Sequence, residues 1–258
     1  MQDLDGFGIR VADAVHHHPV VAHNTYTRWF ATGAPTSADV RHLTVQFSVF
    51  SHQFVEAQLR KVINAADLEQ YRAGKEILMN ELGVAFSGDP GDEGVARDGT
   101  VDGSRYRHRA AHFEWLVRFA APLGLRFDDL GKRRHATPST LFFCDELLRI
   151  YGSEDPSTGE GASYAVEHWA AAGFWKELIA GLRAFKDREC PELPLGFWTW
   201  HDMVEDQHAA HTEEELGEAF GRPGFDEELF LAGATAMLDG VKVFWDGLDT
   251  DRRGRRAA

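Results

Sequence analysis

Apolar residues recur at three- and four-residue spacings over most of the chain, and the strict alternation of a half-buried strand is scarce. That periodicity predicts an all-α fold. The helical stretches are Val45–Ala65, Leu68–Leu82, Ala111–Leu123, Thr140–Tyr151, Tyr164–Asp187, Phe197–His211 and Glu227–Gly247. With one more near the N-terminus they predict a single bundle of about seven to eight helices.

Turn residues set the breaks. Pro35-Thr36-Ser37-Ala38-Asp39 reads as a helix start capped by Thr36 or Ser37, and Gly152–Gly161 parts the two halves of the chain. Gly88–Ser104 is too rich in Gly and Asp for a helix and is expected as a mobile surface loop. With no internal repeat or low-complexity linker, residues 1–250 are expected as one domain, followed by a basic, solvated and disordered tail at 251–258.

Composition narrows the function classes. A chain of 258 residues with 43% hydrophobic positions has enough apolar side chains for a sizeable core. Lys+Arg of 27 against Asp+Glu of 41 gives a net charge of −14, which repels a polyanion, so nucleic acid is excluded as an expected partner. Cys144 and Cys190 match no Cys-x-x-Cys pattern, which argues against a disulfide framework, a zinc ribbon or an iron–sulfur site and fits a reducing cytoplasm. No apolar run is long enough to span a bilayer and the start has no basic n-region. A cytoplasmic protein with no membrane partner is the expectation.

The chemistry concentrates in Trp198-Thr-Trp-His201-Asp-Met-Val-Glu205-Asp-Gln-His208. On a helix, Glu205 lies about 40° to one side of His201 and His208 about 20° to the other, so all three project from one stripe. Imidazole with carboxylate suits iron or manganese and leaves coordination positions open, and zinc also fits. The plain alternative is a solvated acidic helix face. Three further groups bear on the choice. Glu81 ends its helix in an otherwise apolar turn, His112 opens the next amphipathic helix, and Glu167 lies among Ala, Phe and Trp, where a carboxylate needs a cation or a hydrogen-bond donor.

In this order, carboxylate, helix-opening histidine, glutamate in an aromatic helix, then the His-carboxylate-His stripe, the chain resembles the haem-oxygenase-like diiron oxidases. The resemblance covers roughly residues 15 to 225. It implies Glu81, His112, Glu167, His201, Glu205 and His208 as ligands of two irons, with O2 as co-substrate. Two departures stand out: the position of Glu205 is more often Asp in the family, and the Glu81-to-His112 spacing is long, which makes His108 a competing ligand. Ferritin-like carboxylate proteins need Glu-x-x-His on two helices, and only Glu205-x-x-His208 fits.

Members that N-oxygenate amines are similar in carrying an extra carboxylate on the preceding helix. Glu56 occupies that place, and its alternative is a surface acid paired with Arg60 four residues on. His52, on the same helix, reads as a packing group. The resemblance thus implies an N-oxygenase that takes a small-molecule amine to hydroxylamine, nitroso or nitro, draws on an external electron donor or reductase, and admits a homodimer. Trp169, Phe174, Trp175, Phe197, Trp198 and Trp200 are candidates for an apolar shell around the metals, or ordinary core. The rivals are oxidative carbon–carbon cleavage on the same scaffold, and a metal-free thiaminase-like or binding module. A thiaminase-like reading would need Cys144 or Cys190 as nucleophile. A haem-binding one would need His16, His17, His18 or His23.

Overall fold

A computed structural model describes residues 4–86, 106–108, 111–203, 216–217 and 219–257. The helices are α1 (Leu4–Val11), α2 (Pro19–Ala22), α3 (Thr25–Thr32), α4 (Ser37–Ile63), α5 (Leu68–Glu81), α6 (His112–Ala120), α7 (Pro138–Glu146), α8 (Pro156–Ala171), α9 (Phe174–Glu189), α10 (196–203) and α11 (Glu227–Ala257). The fold is all-α as expected, with more helices than the pattern suggested. The one addition among the described residues is a short antiparallel ladder. Strand β1 (Val84–Phe86) pairs with β2 (Tyr106–His108), Val84 opposite His108, and this pairing brings together the two ends of the segment that includes Gly88–Ser104. That loop lies outside the described residues.

Helix α4 starts earlier than its apolar run. Thr36 and Asp39 form a capping box that satisfies backbone N–H groups at both positions, and Val40 and Leu43 are buried. Further along, Phe47 packs on Trp175, Phe197 and Trp198, and Phe50 on Phe143, Trp169 and Phe244, so α4 runs through the aromatic centre of the bundle.

Three expectations are corrected. The Tyr164–Asp187 stretch is two helices, because Gly173 sits at φ 89°, where the chain turns sharply and stacks Phe174 on Trp169 at 4.7 Å. The Gly152–Gly161 break is shorter, because Asp155 caps the Thr158 N–H at 2.7 Å with Pro156 opening α8. The basic tail is helical through Ala257 rather than disordered. Arg252 and Arg253 pair with Asp249 at 2.5 and 2.6 Å, Arg255 reaches buried Asp39 at 3.2 Å, and Arg252 lies over the Trp29 ring.

Candidate functional site

Helix α5 ends on Glu81, a poor place for a carboxylate beside its own helix carbonyls. The structure compensates by setting that carboxylate against the start of α6. His112, the first residue of α6, has its Nδ1 3.1 Å from Glu81 Oε1, and the two side chains are only 9% and 16% exposed. An ionised carboxylate accepts and does not donate, so Nδ1–H donates here. A metal would fit the same spacing, since two donors about 2.1 Å from one ion and at right angles stand about 3.0 Å apart.

His201 comes from α10. Its ring is 5.0 Å from that of His112, and its Nδ1 donates to the Phe197 carbonyl at 2.6 Å, which puts the ring lone pair on Nε2. Aromatic rings wall the two histidines. Trp175 stacks on His201 at 4.9 Å, Phe197 lies 4.4 Å from it, and Trp200 and Trp115 approach His112 at 4.6 and 5.6 Å. Such a wall excludes water and strengthens electrostatic interactions inside it. Trp175, Phe197 and Trp200 are among the shell residues expected from sequence. Trp115 was missed, although its place three residues after His112, on the same helix face, was the available signal.

The other candidates stand as follows. Glu167 is half-buried on α8, one turn beyond Ser163 and next to His168, whose ring stacks on Tyr164 at 3.9 Å. Glu56 is exposed on α4 and paired with Arg60 at 3.1 Å. His52 stacks on Phe113 at 4.1 Å, as a packing group would. Glu205 and His208 lie outside the described residues, as does the remainder of the predicted helix to His211. His108 falls on β2, paired through its backbone with Val84. Among the described residues no group of three or more His, Cys, Asp or Glu side chains is placed to hold one metal ion. Glu81, His112 and His201 are the candidate ligands that the described residues bring together.

The rival sites find less support. Burial pushes the Cys144 thiol up to about 12, and burial with the Glu192 carboxylate raises Cys190, so both stay protonated near neutrality and neither is an activated nucleophile. His18 is spent structurally: Nδ1 accepts the Val20 N–H and Nε2 donates to Asp239. His17 is exposed beside Asp13, and His16 stacks on His168.

No family model matches the sequence, and no curated protein matches it significantly. Solved structures do match. A domain of unknown function with a haem-oxygenase-like fold from Shewanella denitrificans OS217 aligns with TM-score 0.65 at 16% identity, over 98% of this chain and 94% of its own. A TenA homolog from Pseudomonas syringae pv. tomato DC3000 aligns with TM-score 0.65 at 12% identity, over 95% and 92%. A CADD-like protein of unknown function from Nostoc punctiforme PCC 73102 aligns with TM-score 0.60 at 17% identity, over 96% and 94%. The chain has a haem-oxygenase-like fold, shared along nearly its whole length.

Proposed function

We propose that this protein is a non-haem oxygenase that uses two iron ions and O2 to oxidise the amine nitrogen of a small molecule. The observation that carries the reading is the Glu81–His112 pair, shielded from solvent, with His201 beside it inside an aromatic wall. These three side chains would hold iron, joined on the resemblance by Glu167, Glu205, His208 and Glu56. Iron, when bound, supplies the binding and reduction of O2. The first turnover balances as R–NH2 + O2 + 2 e− + 2 H+ → R–NHOH + H2O, which requires the external electron donor. The carbonyl of Phe197 fixes the His201 tautomer, and Trp115, Trp175, Phe197 and Trp200 keep bulk water from the reacting nitrogen.

The test is anaerobic loading with Fe(II), removal of excess metal and iron quantification, followed by O2 exposure with a panel of primary amines. Two irons per chain are expected in the wild type, with at least about a tenfold loss of iron affinity in Glu81→Ala and His112→Ala. A wild-type chain that retains no iron ends the proposal. One observation favours a second reading, oxidative carbon–carbon cleavage on the same scaffold: Glu56 faces solvent with Arg60. Glu56→Ala separates the two, because N-oxygenation that uses this carboxylate is lost in the variant whereas cleavage keeps most of its activity.

A further inference from the structure

Helix α5 is thinly covered. Of its 14 residues only Gly74 is buried, although Leu68, Tyr71, Ile77, Leu78 and Met79 give it ample apolar surface. A helix of this length owes its stability to tertiary packing of its apolar side more than to its own hydrogen bonds, so α5 calls for a further packing surface. Its seam with α4 is fixed at Gly74, where any side chain would meet Val62 and whose carbonyl accepts from Gln58 Nε2 at 2.9 Å. At 100° per residue, Leu59 and Ile63 lie about 60° and 100° round α4 from Val62, and Tyr71 and Leu68 about 60° and 120° round α5 from Gly74, in the same sense. Only residues 64–67 join the two helices, which therefore run antiparallel, and these rotations turn both rows to one side of the hairpin. Leu82, just past α5, extends the row.

All five side chains are exposed, from 43% at Tyr71 to 70% at Ile63. Together they present about 500 Å² of apolar surface, the upper end of what a monomer leaves uncovered. With its polar rim the face approaches the roughly 800 Å² per partner of a standard two-chain interface. Charge selects the partner. The chain carries −14 overall, which sets two copies against each other over most of the surface. The rim of this face is balanced instead: Arg60 pairs with Glu56 at 3.1 Å, Lys75 lies over the Tyr71 ring, and Arg72 stands one turn from both Glu69 and Glu76. An apolar face with both signs at its edge is complementary to itself.

We propose that this face binds a second copy of the chain about a two-fold axis, α4 and α5 of one protomer closing a four-helix bundle with those of its partner. Leu59, Ile63, Leu68 and Tyr71 form the centre of the contact. It also steadies α5, the helix that ends on Glu81. Metal-free, full-length protein suffices for the test, so its outcome is independent of iron binding. Sedimentation velocity from about 1 to 100 µM should show a concentration-dependent passage from 28.9 kDa to twice that mass. Ile63→Asp sets a carboxylate at the centre of the face and should weaken association at least about tenfold. Its far-UV circular dichroism should match the wild type, because Ile63 faces solvent in the single chain. Ile9→Asp, the same change at a comparably exposed position on α1, should leave association intact. Amide exchange in wild-type α5 should slow as the dimer forms. A chain that stays at 28.9 kDa throughout, a mass that climbs past the dimer, association untouched by Ile63→Asp, or association weakened equally by Ile9→Asp overturns the proposal.

Discussion

Single residues here are defined by what their polar atoms meet. Burial works against ionisation of Asp39, but the Thr36 N–H and hydroxyl and the Arg255 guanidinium outweigh it and hold the carboxyl below its ordinary range. A carboxyl depressed on folding stabilises the native state above its unfolded pKa, about 3.9, and loses that contribution as pH falls through the folded value. Asp39→Asn should therefore destabilise the protein by a constant amount from pH 5 to 7, with the gap to wild type closing below about pH 4. Urea unfolding across that range measures it, and a gap independent of pH would refute the assignment. The capping half of this role was legible in Pro35-Thr36-Ser37-Ala38-Asp39. The Arg255 half was not, because the two residues lie at opposite ends of the sequence and Arg255 sits in a segment whose composition suggests a solvated tail.

At the scale of elements, periodicity located most helices, and local chemistry together with tertiary contact decided where they end. Apolar spacing continues through Gly173, and only its positive φ divides α8 from α9. Gly161 shows the converse. It looks like part of a breaker-rich loop, yet it lies within α8, where any side chain would collide with the Phe230 carbonyl of α11. Gly233 on α11 likewise meets the backbone of Thr158 on α8. The two helices approach closely because each presents a glycine to the other's backbone. Gly233→Ala should then cost about 2 kcal/mol or more, since backbone cannot yield as a flexible side chain does. Gly8→Ala, with open space around it, should be near neutral or stabilising. Thermal unfolding of the pair tests this, and equal melting temperatures would remove the close approach as the explanation.

The whole molecule draws its candidate site from the ends of separate elements: Glu81 closes α5, His112 opens α6 and His201 lies on α10. The sequence could nominate these residues by type and order. Glu81 and His112, thirty-one positions apart, meet where the β1–β2 pairing joins the strand that follows α5 to the one that precedes α6, a contact that no local pattern announces. The spacing of Trp115 from His112 was legible, whereas its packing on Trp200 of α10 arises only when distant segments meet. A site assembled this way has a thermodynamic consequence. A metal held by Glu81, His112 and His201 would bind the folded chain far better than the unfolded one, and a free concentration about a hundredfold above Kd would stabilise the fold by about 2.7 kcal/mol. For a chain of this size that corresponds to a rise in Tm of roughly 5–10 °C. Fe(II) added anaerobically should produce this shift, a chelator should reverse it, and His112→Ala should abolish most of it while leaving the metal-free Tm within a few degrees of wild type. If the metal-induced shift persisted in His112→Ala, the ion would be bound elsewhere and the Glu81–His112 contact would be no more than a buried hydrogen bond.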